Sequence, residues 1–140
     1  MRVNMSSRLF SFLGTLVVAL SLPAWAHHSH GNYKQTFIDL EGVVNEVHLI
    51  NPHSWIFLEV TDENGDKVEW ALEATNRVSL SRLGITYDYI AQGDTLKVRC
   101  HQLRDEGAGC LLGFLQARDG TIKDWDGHVA RPDDDGFFDM

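Results

Sequence analysis

The chain has 140 residues, with 12 basic and 20 acidic side chains and a net charge of −8 when the histidines are neutral. A chain of this length forms one domain around one hydrophobic core. Its acidic balance argues against nucleic-acid binding, which needs a basic groove, and against contact with anionic lipid headgroups.

The first 26 residues have the three parts of a cleavable signal peptide in the expected order. Arg2 and Arg8 give the first residues a positive charge, and a mostly apolar run covers residues 10–22. Ala24-Trp25-Ala26 then supplies the small residues that a signal peptidase recognises. The apolar run is shorter than the roughly 20 residues that span a membrane. We expect a periplasmic or secreted protein with no membrane insertion after cleavage. The alternative is an uncleaved N-terminal anchor.

Cleavage after Ala26 would leave three histidines among the first four residues: His27, His28 and His30. The net charge would become −10, because the removed segment carries two of the 12 basic residues and none of the 20 acidic ones. The amine and imidazole of His27 can chelate one ion, and the other two histidines add nitrogens that suit copper(II), zinc or nickel. Such binding weakens below about pH 6. The alternative is a polar linker that contains histidines.

The mature chain divides into three segments by composition. Residues 27–36 are polar and are expected to form a histidine-containing N-terminal arm. Residues 37–125 carry the apolar alternation of a folded domain. Residues 126–140 are acidic, with four aspartates after Pro132, and are expected to form a loose tail.

The first strand of the domain changes its apolar phase partway along. Ile38 and Leu40 alternate with acidic residues, and after Gly42 the apolar positions shift to Val43 and Val47. A glycine at a phase change predicts a β-bulge at Gly42.

A β-hairpin is predicted next, with Glu63-Asn64-Gly65 as its loop and Gly65 in the left-handed conformation. This loop is preferred because it places apolar residues opposite one another, whereas a two-residue loop would place Ile56 opposite Glu73. The predicted pairs are Ile56 with Leu72, Leu58 with Trp70 and Val60 with Val68.

A short helix should follow the hairpin. Thr75 or Asn76 can cap its N-terminus, and Gly84 can end it. The expected apolar contacts come from Val78, Leu80 and Leu83.

The two cysteines, Cys100 and Cys110, are expected to form a disulfide, because an exported protein works in an oxidising compartment. Placing them directly across a strand pair would also pair Val98 with Leu112 and Leu96 with Phe114. A last hairpin turns at Asp119-Gly120.

This order predicts a mainly β fold, an OB-like antiparallel barrel of five or six strands with one short helix between the third and fourth. The alternative is a β-sandwich with a helical plug.

Three stretches resemble a known family: "GVVNEVHLINPHSWIFLEV", "WALEATNRVSLSRLGI", and "GDTLKV" with the later "LRDEGAGCLLGFLQARDG". The chain resembles a family of small exported bacterial proteins, number 6152 in the series of domains of unknown function. The resemblance covers nearly the whole mature chain and rests on the Asn-Pro-His element followed by Trp-x-x-Glu. His48 departs from it, since an aromatic residue such as Trp is expected there. The resemblance implies export and fold, but no reaction.

A second candidate site centres on Asn51-Pro52-His53. The predicted hairpin places Trp55 beside Glu73 and brings His53 near the same edge. A histidine, a carboxylate and an aromatic ring could line a small polar cleft for a small ligand or another exported protein. In the structural alternative, Asn51 caps a turn, Pro52 ends the strand, and His53 satisfies a buried backbone group.

The sequence shows no Gly-rich phosphate loop, no helical His-x-x-x-His and no nucleophilic serine elbow. We therefore expect a non-catalytic protein whose cofactor, if it has one, is copper or zinc. His48, His101 and His128 are expected to face solvent.

Overall fold

The computed structural model describes residues 30–125. The predicted signal peptide, His27, His28, His128 and the tail over residues 126–140 lie outside this part of the chain. Within it, a 3-10 turn over His30–Asn32 leads into six strands and one short helix. The strands are β1 (Tyr33–His48), β2 (Ser54–Thr61), β3 (Lys67–Ala74), β4 (Thr95–Leu103), β5 (Gly109–Gln116) and β6 (Ile122–Asp124), and the helix α1 (Arg77–Arg82) lies between β3 and β4.

The six strands form one sheet in the order β3-β2-β1-β4-β5-β6, and an additional pairing between β3 and β5 closes a ring of five strands. The pairing of β3 with β5 is parallel, and the other pairings are antiparallel. A closed ring with an odd number of strands cannot alternate direction throughout, so one parallel pair is unavoidable. The mainly β fold with its helix between the third and fourth strands is confirmed.

The hydrophobic core fills the inside of this ring. Helix α1 contributes the fully buried Leu80, and the segment between α1 and β4 adds Ile85 and Ile90. Fully burying a side chain of this size contributes roughly 1.5–3 kcal/mol. No helix within residues 30–125 is long and apolar enough to cross a membrane. The other large, fully buried side chains are Val44, Ile56, Leu58, Leu72, Leu96, Leu112, Leu115 and Trp125.

Strand β1 contains a bulge, although not at Gly42 as predicted. The register of β1 against β2 shifts between Val44 and Glu46, which places the extra residue at Asn45. Val44 is buried. Val43, which the sequence pattern predicts to face the core, is instead 39% exposed.

The predicted β2–β3 hairpin is confirmed in full. Gly65 has a φ of 86°, the left-handed conformation that the loop requires. The observed register pairs Ile56 with Leu72, Leu58 with Trp70 and Val60 with Val68.

Helix α1 begins as predicted, because the side chain of Asn76 accepts a hydrogen bond from the backbone N–H of Ser79 at 3.0 Å. Gly84, with a φ of 74°, follows its end. The expected apolar contacts are only partly correct. Leu80 is buried, but Val78 is 49% and Leu83 is 44% exposed, because a helix of under two turns presents a single face to the core.

The disulfide between Cys100 and Cys110 is confirmed, with the two Cα atoms 5.7 Å apart. The predicted strand register around it is wrong. A shift between Arg99 and Cys100 makes the two cysteines diagonal rather than direct neighbours, and diagonal positions can also be bridged. The observed pairs are Val98 with Leu115, Arg99 with Phe114, Cys100 with Leu112 and Gln102 with Cys110.

Candidate functional site: a histidine–glutamate–tyrosine cluster

Glu73 lies near the end of β3, opposite Trp55 of β2 on one side and Leu111 of β5 on the other. Its carboxylate is almost buried, with a relative exposure of 9% for the residue. Burying an ionised carboxylate costs several kcal/mol unless it is paired or hydrogen-bonded. The surroundings of Glu73 must therefore supply partners.

Two side chains satisfy this carboxylate, one on each oxygen. The hydroxyl of Tyr33 donates a hydrogen bond to Oε2 at 2.5 Å. Nδ1 of His53 contacts Oε1. Burial raises the pKa of the Tyr33 hydroxyl above its ordinary value of 10.0, and the hydrogen bond to Glu73 and its negative charge raise it further. Tyr33 therefore stays protonated and acts as the donor.

The turn before β2 presents His53 to this carboxylate. The Asn51–Pro52 peptide bond is cis. The fully buried Ser54 fixes the end of the turn, because its hydroxyl donates to the carbonyl of Ile50 at 3.2 Å and its N–H donates to the carbonyl of Thr75 at 3.1 Å. The side chain of His53 is 43% exposed. Since Nδ1 contacts Glu73, Nε2 is the ring nitrogen that is left for a further partner.

The structure therefore brings together His53 and Glu73, as the hairpin register predicted. Trp55 is half-buried and lies directly across from Glu73, so the two side chains share one face of the sheet. Asn51 and Pro52 are exposed at the start of the turn. The contact of His53 is to a carboxylate and not to a backbone group, unlike in the structural alternative.

The sequence pattern does not single out Tyr33, which falls within the polar arm predicted over residues 27–36. The residue begins β1, four positions before the expected domain boundary, and is only 6% exposed. A single large aromatic residue within a polar stretch was the available signal. The missing information was long-range, because Tyr33 pairs with Leu103 of β4 and bonds to Glu73 of β3.

Arg104 fixes the place where the N-terminal segment enters the fold. Its backbone N–H donates to the carbonyl of Asn32 at 2.9 Å, and its guanidinium Nε donates to the carbonyl of Tyr33 at 3.0 Å. The backbone of Asn32 and Tyr33 is therefore held in place at the start of β1.

The predicted metal ligands fall largely outside the described part of the chain. His27 and His28 lie outside it, and the backbone of His30 opens the 3-10 turn. Within residues 30–125, no group of three or more histidine, cysteine, aspartate or glutamate side chains is arranged to hold a metal ion.

The other described histidines have different surroundings. His48 is exposed as predicted, and its Nε2 lies 2.7 Å from a carboxylate oxygen of Glu46. His101 is half-buried, because its ring stacks on Phe37 with centroids 4.0 Å apart. An open cleft of about 580 Å³ lies between residues 45–48 and residues 87–92, and His53 and Glu73 do not line it.

These features define a small, mainly β domain that carries a carboxylate-oriented imidazole at one end of a five-stranded ring. The chain belongs to a family of unknown function, DUF6152, whose model matches residues 15–112. The match includes Tyr33, His53, Glu73 and both cysteines. Neither the curated proteins nor the solved structures gave a match.

Proposed function

We propose that the protein is an exported, non-catalytic binding protein for a transition-metal ion, with copper(II) preferred and zinc second. The ion is held by the mature N-terminus, through the amine and imidazole of His27 together with His28 and His30. The observation that supports this most is the entry of the N-terminal segment at Tyr33, whose hydroxyl bonds to the carboxylate that orients another imidazole, His53. The segment with the three histidines therefore precedes, in the chain, a residue that supports an oriented imidazole.

The chemistry of the segment favours one anchor residue. The amine and imidazole of His27 can form a chelate on a single residue, so the second bond requires little additional ordering of the chain. Nitrogen donors bind copper(II) more tightly than nickel or zinc. The net charge of −10 after removal of residues 1–26, two of whose side chains are basic and none acidic, favours the approach of a cation.

The free amine of His27 is the decisive feature to test. Purified periplasmic protein should have the mass of a chain that starts at His27. Three proteins should then be titrated with copper(II) at neutral pH: the processed protein, a version with one extra N-terminal residue, and His27→Ala. We expect the processed protein to bind most tightly. Equal binding by all three would show that His27 is not the anchor.

A second candidate is a small-ligand or protein interaction module that uses Asn51, His53, Trp55 and Glu73. It is favoured by exposed apolar side chains beside this turn. Ile50 is 47% and Val78 is 49% exposed, and the backbone segments that carry them meet where the N–H of Arg77 donates to the carbonyl of Ile50 at 3.1 Å. Failure of the copper titration together with retention of a small ligand or an exported protein by this surface would favour this candidate.

A further inference from the structure

We propose that the open cleft beside the end of β1 is a docking site for an extended, basic peptide segment of a partner protein. The cleft has a volume of about 580 Å³ and lies between residues 45–48 of β1 and residues 87–92, which connect α1 to β4. Neither of the two candidate functions above uses these residues, so this inference is independent of both.

One edge of β1 has no strand partner beside this cleft. β4 pairs with that edge only as far as Val43. The N–H of Val44 donates to the carbonyl of Asp94 at 2.9 Å and completes the pairing. In the described part of the chain, no strand continues this edge over residues 45–48, whereas β2 still pairs with the opposite edge there. An unpaired strand edge is a template on which another extended chain can add a strand.

Strand alternation identifies Val47 as the residue whose backbone groups face the cleft. The N–H of Leu49 donates to the hydroxyl of Tyr87, which lines the cleft, at 3.1 Å. Successive residues of a strand direct their backbone groups to opposite edges, so Val47 shares the edge of Leu49. The bulge at Asn45 accounts for the change of phase after Val44. Val47 therefore offers one donor and one acceptor to a residue of an added strand.

The side chains that line the cleft favour a peptide with apolar and basic residues. Val47 is half-buried and Ile90 is buried, and together they supply apolar contact area. The side chain of Glu46 is 64% exposed, and its neighbour His48 leaves its charge uncompensated when the imidazole is neutral. None of the described residues that line the cleft is a lysine or arginine. Since the whole chain has a net charge of −8, a basic segment has the complementary charge for this surface.

The test titrates the isotope-labelled processed protein with the peptide acetyl-Lys-Val-Lys-Val-Lys-amide at pH 8, where histidine side chains are mostly neutral. The backbone amide signals of Val47, Leu49 and Gln92 should shift in nuclear magnetic resonance spectra. Two further peptides carry methyl groups on either the valine or the lysine backbone nitrogens, which blocks alternate edges of the peptide. One of these two should bind clearly more weakly than the other, because only one edge can pair with β1.

Charge is tested with a matched pair of variants. Glu46→Lys should weaken binding of the basic peptide by about three- to tenfold, because an exposed ion pair contributes modestly and its reversal adds repulsion. Glu63→Lys makes the same change of charge in the exposed β2–β3 loop and should bind nearly as the parent does. Circular dichroism should show that both variants are folded. The acidic peptide acetyl-Glu-Val-Glu-Val-Glu-amide should bind the parent more weakly than the basic one.

Several results would overturn this inference. The absence of shifts at Val47 and Leu49 up to millimolar peptide would do so, because the proposal requires an extended basic backbone and no particular sequence. Equal binding of the two methylated peptides would show that strand pairing is not used. If acetyl-lysine methylamide bound as tightly as the pentapeptide, the cleft would be a small-molecule site. Equal binding by Glu46→Lys and the parent would contradict a basic partner. None of these results involves copper(II), so each leaves the proposed function unaffected.

Discussion

At the scale of single residues, Glu73 and Tyr33 depend on each other. The buried carboxylate needs a donor, and the hydroxyl of Tyr33, itself 6% exposed as a residue, needs an acceptor. A hydrogen bond to an ionised group is roughly twice as strong as one between neutral groups. Removing either partner leaves the other buried and unsatisfied, which costs more than the bond itself contributes.

We expect Tyr33→Phe to lower the free energy of unfolding by about 1–3 kcal/mol, because it leaves one oxygen of Glu73 without its donor. Urea denaturation at neutral pH measures this. Tyr87→Phe is the comparison and should cost less, since Tyr87 is 51% exposed and its hydroxyl accepts a hydrogen bond from the neutral N–H of Leu49 at 3.1 Å rather than donating to a carboxylate. Equal losses in the two variants would contradict the special role of Tyr33.

The pKa of Tyr33 also predicts how stability depends on pH. Burial, and then the contact with Glu73, raises this pKa in the folded state above the ordinary value of 10.0. The stabilising contribution is therefore fully present below about pH 10 and is lost as the pH rises further, because the unfolded chain loses this proton first. Denaturation between about pH 9 and pH 11 should show a decline in stability. If the stability of Tyr33→Phe declined with pH as steeply as that of its parent, the decline would not come from Tyr33.

At the scale of elements, β1 shows what an apolar pattern can and cannot locate. A shift of phase between Leu40 and Val47 requires one extra residue between them, but any position in that interval would satisfy the pattern. Because bulges often contain glycine, the sequence favours Gly42 as the bulged residue, whereas the structure places the bulge at Asn45. Gly42 has a different role, because β2 approaches its backbone so closely that a Cβ would collide with the carbonyl oxygen of Glu59.

Gly42→Ala should therefore destabilise the protein by about 1–3 kcal/mol, the usual cost of adding an atom to a well-packed place. The added Cβ would also lie 2.9 Å from Cγ of Leu58, which is fully buried and has little freedom to move. Gly31→Ala is the matched control, since a Cβ there meets nothing within 4 Å. Thermal unfolding should separate the two variants, and equal stability would show that β1 and β2 can move apart without cost.

The hairpin and the disulfide differ in how strongly the sequence constrains them. The β2–β3 register was predictable because one turn and three apolar pairs all require it. Cys100 and Cys110 constrain β4 and β5 less, because direct and diagonal neighbours can both be bridged. Tyr33 could not be placed at all, since its partners come from distant parts of the chain and local alternation carries no information about them.

Replacing both Cys100 and Cys110 with alanine should lower the free energy of unfolding by roughly 2–3 kcal/mol, the contribution expected from closing a short loop. The fold should remain, because the ring is closed by β3 and β5 independently of this bond. Alkylation of the parent without reductant should label neither cysteine. Loss of the far-ultraviolet circular dichroism signal of the strands in the double variant would show instead that the disulfide is needed for folding.

At the scale of the whole molecule, the ring brings distant segments to one end. Tyr33 opens β1, His53 precedes β2, and Glu73 lies near the end of β3, where β3 pairs with β5. The β2–β3 hairpin brings His53 to Glu73, whereas Tyr33 of β1 reaches Glu73 only when the ring is closed through β4 and β5.

The proposed site also predicts how copper(II) affects the stability of the whole molecule. A ligand raises the free energy of unfolding according to its preference for the folded state over the unfolded state. His27, His28 and His30 remain next to one another in an unfolded chain, so binding to them alone gives almost no preference. Saturating copper(II) should therefore leave the free energy of unfolding of the processed protein almost unchanged, although this protein binds copper(II) and His27→Ala binds it more weakly. Urea denaturation with and without copper(II) measures this, and clear stabilisation of the processed protein would show that the folded domain contributes a ligand.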